Sequence, residues 1–291
     1  MMGSGKCNAL VTQYIRNLRG GSQPILAQAS DGLHYVVKFT NNLQGPNLPF
    51  NESMGSELYR ACGLAGPSWR PLIVTDAFLD RNRDCWMQTA VGMLRPDAGV
   101  CFGSHFLGGE GLQVLEILPE SSFNRISNRE HFWLARLVDA CAEHCDNRQA
   151  LFLEDAKGGL KPFFIDHGHL FRGAEGYING PFRASRYLDS RIYPDLSPPC
   201  LLELKRVATS LDADKLWRSV ERLPDNWKTQ SAIESFSLCL HRLCNRQFLS
   251  DMLNALVNST GRSSEFEQRR PALSVLRPGL QGAHRRTAYG V

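Results

Sequence analysis

Four sequence features that could act together on a phosphate group follow one another along the chain: a glycine-rich segment, a lysine, a glutamate and a pair of aspartates. A Gly-Gly-Ser segment ending at Ser22 precedes a predicted hairpin, Lys38 lies in the second strand of that hairpin, and Glu52 begins the next predicted helix. Two aspartates, Asp146 and Asp166, then flank a later hairpin. Phosphoryl transfer uses a loop that covers the phosphates, a lysine that neutralises them, a glutamate that orients this lysine, and two aspartates that serve the nucleophile and a magnesium ion. The order of these residues therefore favours phosphoryl transfer.

The first hairpin is the element that would position the loop and the lysine. Its strands are predicted at 25–29 and 34–40, with the turn signal Asp31-Gly32 between them. Side chains alternate between the two faces of a strand, so Lys38 faces opposite to the apolar residues on either side of it. A glycine pair just before a strand can also bring backbone N–H groups close to an anion.

A helix would position the glutamate, and it follows a loop rich in Asn, Gly and Pro over 41–50. Asn51 is a suitable N-cap, and the apolar spacing predicts a helix from Glu52 to about Cys62. The helix alone could also explain this glutamate, because a negative charge near an N-terminus interacts favourably with the helix dipole.

The later hairpin would bring the two aspartates together. Its strands are predicted at 150–153 and 161–165, and a hairpin that folds back on itself could place Asp146 and Asp166 at the mouth of one cleft. The other predicted elements are a strand at 71–75, one strand and then an irregular loop through 101–104, a helix over 129–145 and amphipathic helices over 198–258.

The composition is that of a globular chain whose charge excess lies at its C-terminal end. The chain has 291 residues, 43% of them hydrophobic and 21% charged, with a formal net charge of +4. The segment 262–291 contains six arginines and two glutamates and so carries the whole excess. A nucleic-acid-binding body needs a basic face, and we expect none outside this tail, which is predicted to be disordered over 261–291. No apolar run is long enough to cross a membrane, and residues 1–10 lack the features of a secretory signal.

The cysteines and histidines offer metal binding as an alternative chemistry. An odd number of cysteines, nine, without a secretion signal indicates free thiols in a reducing, cytoplasmic compartment. Cys141, His144 and Cys145 lie close in sequence, but no CxxC pair accompanies them, so we interpret these cysteines as packing residues. His167 and His169 alternate along the chain, which leaves a histidine-based site as a second alternative.

Five segments, in their order and spacing, resemble one family. They are Gly21-Ser22-Gln23, Val36-Val37-Lys38-Phe39, Asn51-Glu52 ahead of Gly63-Leu64, Asp146-Asn147-Arg148 and Ile165-Asp166-His167-Gly168. Together they resemble the small, single-unit HipA-like kinases, bacterial relatives of the protein-kinase and phosphoinositide-kinase fold, over roughly residues 18–172. The resemblance implies an α+β, protein-kinase-like bilobal fold. The expected units are an N-terminal antiparallel sheet subdomain (1–80), a larger, mostly helical C-terminal subdomain (81–260) and the basic tail.

The resemblance also implies roles for individual residues. ATP would be bound by the phosphate loop and its partners, namely Gly21, Ser22, Gln23, Lys38 and Glu52, with Glu57 as a second possible partner of the lysine. Asp146 matches the catalytic aspartate, in a His144-Cys145-Asp146 segment similar to the kinase His-Arg-Asp, and Asp166 matches the aspartate that binds Mg²⁺. Lys38 and Arg148 complete the expected catalytic set, although Arg148 could instead be a surface charge or pair with Asp146. The acceptor would be a hydroxyl of a protein Ser/Thr or of a small molecule.

One position departs from the kinase pattern. Protein kinases have a magnesium-binding Asn five residues after the catalytic aspartate, and this chain has Leu151 there. Gln149, which we expect beside Asp166 in the metal site, or Asn147 could bind the ion instead, or the site could use a single magnesium. Two alternatives to an active kinase therefore stay open. One is a pseudokinase or ATP-binding interaction module, and the other is an unrelated α+β protein in which Lys38 and Asp166 lie more than about 15 Å apart.

Overall fold

The N-terminal part of the chain is a closed, five-stranded barrel in this computed structural model, which describes residues 8–108, 114–175 and 185–260. In chain order the strands are β1 (Ala9–Asn17), β2 (Ile25–Ala29), β3 (His34–Lys38), β4 (Trp69–Val74) and, after a separate hairpin of β5 (Met87–Thr89) and β6 (Gly92–Leu94), β7 (Gly99–His105). The order around the barrel is β1-β2-β3-β7-β4, and β1 closes on β4 in parallel. The β2–β3 hairpin confirms the sequence prediction, and Lys38 is the last residue of β3.

Strand β7 corrects two expectations. The segment 101–104, expected to be an irregular loop, lies within this strand and pairs with both β3 and β4. A Cβ atom at Gly103 would lie 2.3 Å from the Leu72 side chain, so this glycine marks a close approach between strands rather than a turn. Because β7 lies between β3 and β4, the N-terminal sheet unit extends to His105, beyond the boundary expected after residue 80.

The helix that follows the barrel hairpin, α1 (Leu48–Ala61), begins earlier than predicted. Asn47 is its N-cap, and Pro49 lies in the first turn, where the missing N–H of proline costs no helical hydrogen bond. The sequence pattern instead predicts this proline in the loop over 41–50. Asn51 therefore lies inside the helix, and its side-chain amide donates to three backbone carbonyls within 168–173. These bonds attach α1 to the segment that follows the second hairpin.

The C-terminal part combines a small sheet with packed helices. The sheet has the order β10-β9-β8, formed by β8 (Val114–Leu115), β9 (Gln149–Glu154) and β10 (Leu160–Ile165). After the short α2 (Asp76–Arg81) beside the barrel, the helices are α3 (His131–Cys141), α4 (Pro198–Thr209), α5 (Ala213–Glu221), α6 (Gln230–Leu243) and α7 (Arg246–Thr260). The second hairpin and the C-terminal helices confirm the sequence prediction. Helix α3 ends before the predicted residue 145, because Glu143 adopts a left-handed conformation with φ 49°.

Two apolar cores underlie this α+β arrangement, one inside the barrel and one between the C-terminal sheet and helices. Met54 and Leu58 of α1 belong to the C-terminal core, so α1 packs on the helical part while its N-terminal half faces the end of β3. The indole N–H of Trp227 also donates to the carbonyl of Val100 in β7, at 3.1 Å. The two parts therefore share packed and hydrogen-bonded contacts around α1 and β7.

Three further expectations concern the chain as a whole. Each of the eight cysteines that the structure describes is a free thiol, as predicted. Within the described residues, no helix combines the length and the apolar character that a bilayer crossing requires. The predicted basic tail over 261–291 lies outside the described residues.

Candidate active site

Lys38 joins the two parts of the fold through its ammonium group. The group pairs with the carboxylate of Glu52 on α1 and lies 2.8 Å from Oδ1 of Asp166, the residue directly after β10. Only 8% of the lysine side chain is exposed. Burial alone would lower the pKa of Lys38, but the charges of Asp166 and Glu52 raise it above its ordinary value. Lys38 is therefore a fixed positive charge, and the alternative in which Lys38 and Asp166 lie far apart is wrong.

Glu52 is held by the backbone as well as by the lysine. Its carboxylate accepts hydrogen bonds from the amides of His167 (3.2 Å) and Gly168 (3.0 Å), the two residues after Asp166. Glu57, the other possible partner of the lysine, instead pairs with Arg60 and accepts the indole N–H of Trp69 at 3.0 Å. The structure thus brings Glu52, and not Glu57, to Lys38.

Asp166 follows β10 in a left-handed backbone conformation, with φ 62°. Residues other than glycine adopt this conformation rarely, and such outliers concentrate at functional sites. Oδ2 of Asp166 accepts a hydrogen bond from the side-chain amide of Gln149 at 2.7 Å. Burial would raise the pKa of Asp166, but the nearby Lys38 ammonium lowers it well below its usual range. An ionised carboxylate with an amide beside it is a pair of ligand types that suits Mg²⁺.

Arg148, expected as a catalytic residue, lies beneath the site rather than in it. Its guanidinium forms a two-pronged ion pair with Asp139 of α3, at 2.8 and 2.9 Å, and both side chains are buried. The remaining terminal nitrogen donates to the carbonyl of Ile165 at 2.8 Å and lies 3.2 Å from the His167 ring. The expectations that Arg148 is a surface charge or pairs with Asp146 are therefore wrong. The same nitrogen also donates to the carbonyl of Asp166 at 3.4 Å, so this arginine bonds the backbone on both sides of that residue.

Two residues of this buried network were missed in the sequence analysis. The Tyr59 hydroxyl, on α1, donates to Oδ1 of Asp139, and its ring lies 4.8 Å from the Arg148 guanidinium carbon. Burial would raise the pKa of Asp139, but Arg148 lowers it. Asp139 could have been found from the sequence, because it is the one acidic residue in the mostly apolar α3. A charge buried with such a helix requires a partner of opposite charge. Tyr59, Asp139 and Arg148 connect α1 with the two loops that carry the predicted catalytic and metal-binding aspartates.

His144 links the two aspartate loops. One ring nitrogen lies 2.7 Å from the carbonyl of Asp146, and the other lies 3.3 Å from the carbonyl of Asp166. Burial, together with the charge of Arg148, lowers the pKa of His144 to about 4, so its ring is neutral at pH 7. The Asp146 carboxylate is exposed, and one of its oxygens accepts the amide of Asn147. Both predicted aspartates therefore border one region, with Asp146 free to face solvent.

The alternative metal sites receive no support from this arrangement. Among the residues that the structure describes, no group of three or more His, Cys, Asp or Glu side chains is placed to hold a metal ion. The ring of His144 is occupied by backbone carbonyls, and that of His167 lies against Arg148. Cys141 is buried, and burial raises the pKa of its thiol to about 12.

The predicted phosphate loop connects β1 to β2. Gly21 lies against Gln44, where a Cβ atom would come within 2.7 Å of the amide nitrogen, and the carbonyl of Ser22 accepts a hydrogen bond from Asn42. Gln23 differs from its expected role of binding the cofactor. Its side-chain amide both donates to and accepts from the backbone of Gln88 in β5, at 2.8 and 2.7 Å. The side chain of Gln23 therefore fastens the loop to the β5–β6 hairpin and is not directed to a phosphate.

Comparisons with known proteins agree with this geometry at the level of the fold. No protein-family model matches the chain, and no curated protein matches it in sequence. The chain is similar in structure to the Helicobacter pylori proinflammatory kinase CtkA, with a TM-score of 0.56 and 11% identity over 86% of this chain and 96% of that chain. The Golgi casein kinase gives a TM-score of 0.36 at 14% identity, over 92% of this chain and 75% of that chain. The same kinase with Mn/ADP bound gives 0.33.

The class that the fold defines is the kinase-like bilobal class. The similarity to CtkA covers both the sheet-rich N-terminal part and the helical C-terminal part, and it confirms the predicted fold class. At this level of identity the similarity establishes the fold alone, and the chemistry of the site has to be argued from its own residues.

Proposed function

We propose that this chain is a HipA-like, ATP-dependent kinase that transfers a phosphoryl group to a hydroxyl acceptor. The observation that carries the proposal is the position of Lys38, whose ammonium pairs at once with Glu52 of α1 and with Asp166 after β10. Phosphoryl transfer depends mainly on positioning and on charge stabilisation, and these three groups supply both, with Lys38 and Glu52 buried and Asp166 partly exposed. The barrel, extended to His105, would form the nucleotide-binding lobe.

Each residue of the site has a separate task in this proposal. Lys38 neutralises phosphate oxygens of ATP, and Glu52 keeps the ammonium in place. The amides around Gly21 and Ser22 approach the phosphates. Asp146, exposed and anchored through His144, orients the acceptor hydroxyl and accepts its proton.

The residues beside β10 fit a magnesium ion that is shared with the nucleotide. Asp166 is ionised, and the amide of Gln149 touches its carboxylate and can turn its oxygen toward a cation. Mg²⁺ is commonly bound through one or two carboxylates together with substrate phosphates, so a cage of several protein carboxylates is not required. When bound, the ion supplies charge neutralisation at the phosphates.

The test compares binding with transfer in three variants. Asp166→Asn is expected to lose both the Mg²⁺-dependent thermal shift with ATP and the transfer of the γ-phosphate. Asp146→Asn is expected to keep the shift and to lose transfer by about a hundredfold or more. Asp225→Asn, at a carboxylate that is 99% exposed and paired with Lys228, is the matched control and should resemble the wild type. Wild-type transfer by Asp166→Asn would refute the metal assignment.

A pseudokinase is the second candidate, because Leu151 occupies the position of the usual magnesium-binding Asn. In that case the wild-type chain would show the Mg²⁺-dependent shift with ATP but transfer no phosphate to itself or to general protein acceptors.

A further inference from the structure

Arg136 of α3 is a partly buried arginine with an unused hydrogen-bond donor. Its Nε atom is buried and has no hydrogen-bond partner. The guanidinium carbon lies 5.4 Å from the centre of the Trp133 ring and 5.7 Å from that of Tyr193. Aromatic rings on this side hold the guanidinium in place, and its Nε–H group has no acceptor.

Arg186 adds a second positive charge beside the first. Its carbonyl accepts the amide of Arg148 at 3.0 Å, and the next residue, Tyr187, donates its amide to the Tyr193 hydroxyl at 2.8 Å. Arg186 itself is exposed. Neither Arg136 nor Arg186 forms an ion pair with a carboxylate of the residues that the structure describes.

The pair of arginines is costly without an anion. Burial lowers the pKa of Arg136, and the charge of Arg186 lowers it further, while only Tyr193 opposes these effects. The nearby carboxylate of Asp189 is already paired with Arg191, at 2.8 Å. The repulsion between the two like charges is relieved when a carboxylate binds between them, because the outer N–H groups of a guanidinium bind a carboxylate with two hydrogen bonds.

The position of the pair relative to Asp146 limits the ligand. One residue, Asn147, separates Asp146 from Arg148, so their Cα atoms lie at most about 7 Å apart, and neighbouring strands lie about 5 Å apart. Because the amide of Arg148 donates to the carbonyl of Arg186 at 3.0 Å, as between neighbouring strands, the Cα atoms of Asp146 and Arg186 lie within about 12 Å. An extended peptide covers this distance in three or four residues.

We infer that Arg136 and Arg186 bind an acidic side chain of a protein acceptor, three or four residues from the hydroxyl that is phosphorylated. This inference rests on the proposed function and narrows its acceptor to a protein segment with a carboxylate at a defined distance. A small-molecule acceptor would not be expected to span the two positions.

A binding measurement tests the arginine pair without requiring catalysis. Fluorescein-labelled peptides carry Ala at the acceptor position and either Glu or Gln three or four residues away, and anisotropy gives their Kd at low salt. The wild-type chain is expected to bind the Glu peptide about tenfold more tightly than the Gln peptide. Arg186→Gln and Arg136→Gln should each remove most of this preference. The control, Arg81→Gln, changes an exposed arginine on α2 and should retain the preference.

Two safeguards separate the possible failures. If Arg136→Gln does not fold, Arg136→Lys takes its place in the test. It keeps the positive charge over the rings but loses the two-pronged geometry, so its preference for the Glu peptide should lie between those of the wild type and Arg186→Gln. A transfer assay on the same peptides with Ser restored reports the proposed function, and its complete absence would count against the kinase assignment alone. Equal binding of the Glu and Gln peptides to the wild type, or a preference that survives in Arg186→Gln, would overturn the arginine site.

Discussion

The buried pair of Asp139 and Arg148 offers the sharpest test of how the site is held. Asp139→Ala removes the carboxylate and leaves a guanidinium that is 2% exposed without its counter-charge. Breaking a buried ion pair from one side costs about 3–5 kcal/mol. Since 1 kcal/mol shifts the melting temperature of a domain of this size by about 2–4 °C, we expect a loss of at least about 6 °C. Urea unfolding at pH 7 should show a matching decrease in the midpoint.

Two further variants show whether the loss of melting temperature in Asp139→Ala comes from the unpaired buried charge. Asp225→Ala removes an exposed carboxylate from a surface pair, and such pairs contribute about 0–1 kcal/mol, so its melting temperature should change little. The double variant Asp139→Leu with Arg148→Met replaces the pair by apolar side chains and should recover most of the stability. It also removes the donor to the carbonyl of Ile165, so the thermal shift with MgATP should remain weakened. The reasoning is refuted if Asp139→Ala is no less stable than Asp225→Ala, or if the double variant recovers the full nucleotide response.

Three other changes test separate parts of the site. Gly55→Ala would place a Cβ atom on α1 2.4 Å from the Cβ atom of His167. This contact should push α1 away from the Asp166 segment and weaken nucleotide binding in a thermal-shift titration. Unchanged ATP affinity would contradict this packing. Gln149→Ala should raise the Mg²⁺ concentration needed for the half-maximal shift by about tenfold, and an unaltered magnesium titration would exclude the amide as a ligand. Burial lowers the pKa of His144 to about 4 and that of His167 well below its ordinary value. The unfolded chain therefore takes up protons below about pH 6.5 that the folded chain does not. The unfolding free energy should fall by about 2 kcal/mol at pH 5 through His144 alone, and His167 acts in the same direction. Urea midpoints at pH 7.5 and 5 measure this fall, which a flat profile would disprove.

The sequence was sufficient to predict those parts of the candidate site that lie in or directly beside elements with a clear local sequence pattern. The β2–β3 hairpin and the β9–β10 hairpin follow from alternation and turn residues, and these two hairpins carry Lys38 and Asp166. Lys38 and Asp166 can be recognised as candidate site residues because the strand at which each lies fixes the direction of its side chain. Their meeting at 2.8 Å follows from the fold, and the resemblance to kinases was needed to expect it.

The errors arose where a residue serves a contact distant in sequence. Gly103 was interpreted as a loop residue, although its missing side chain makes room for Leu72 on the neighbouring strand. Asn51 was interpreted as a cap, although its amide binds carbonyls more than a hundred residues away. Arg148 follows a predicted catalytic aspartate, yet its partner is on α3. In each case the residue type allowed two explanations, and only tertiary pairing distinguishes them.

The register of β9 determines how strongly Leu151 argues against kinase activity. Gln149 is opposite Ile165 in the β9–β10 pairing, directly before Asp166, whereas Leu151 is opposite Phe163. Residues 149 and 151 lie on the same face of the strand but about 7 Å apart along it. An amide at position 151 would therefore lie two residues further from Asp166 than the amide of Gln149, which already touches its carboxylate at 2.7 Å. Because the strand itself provides an amide beside Asp166, the leucine at 151 is weak evidence for a pseudokinase, and that alternative has to be supported by nucleotide binding without transfer.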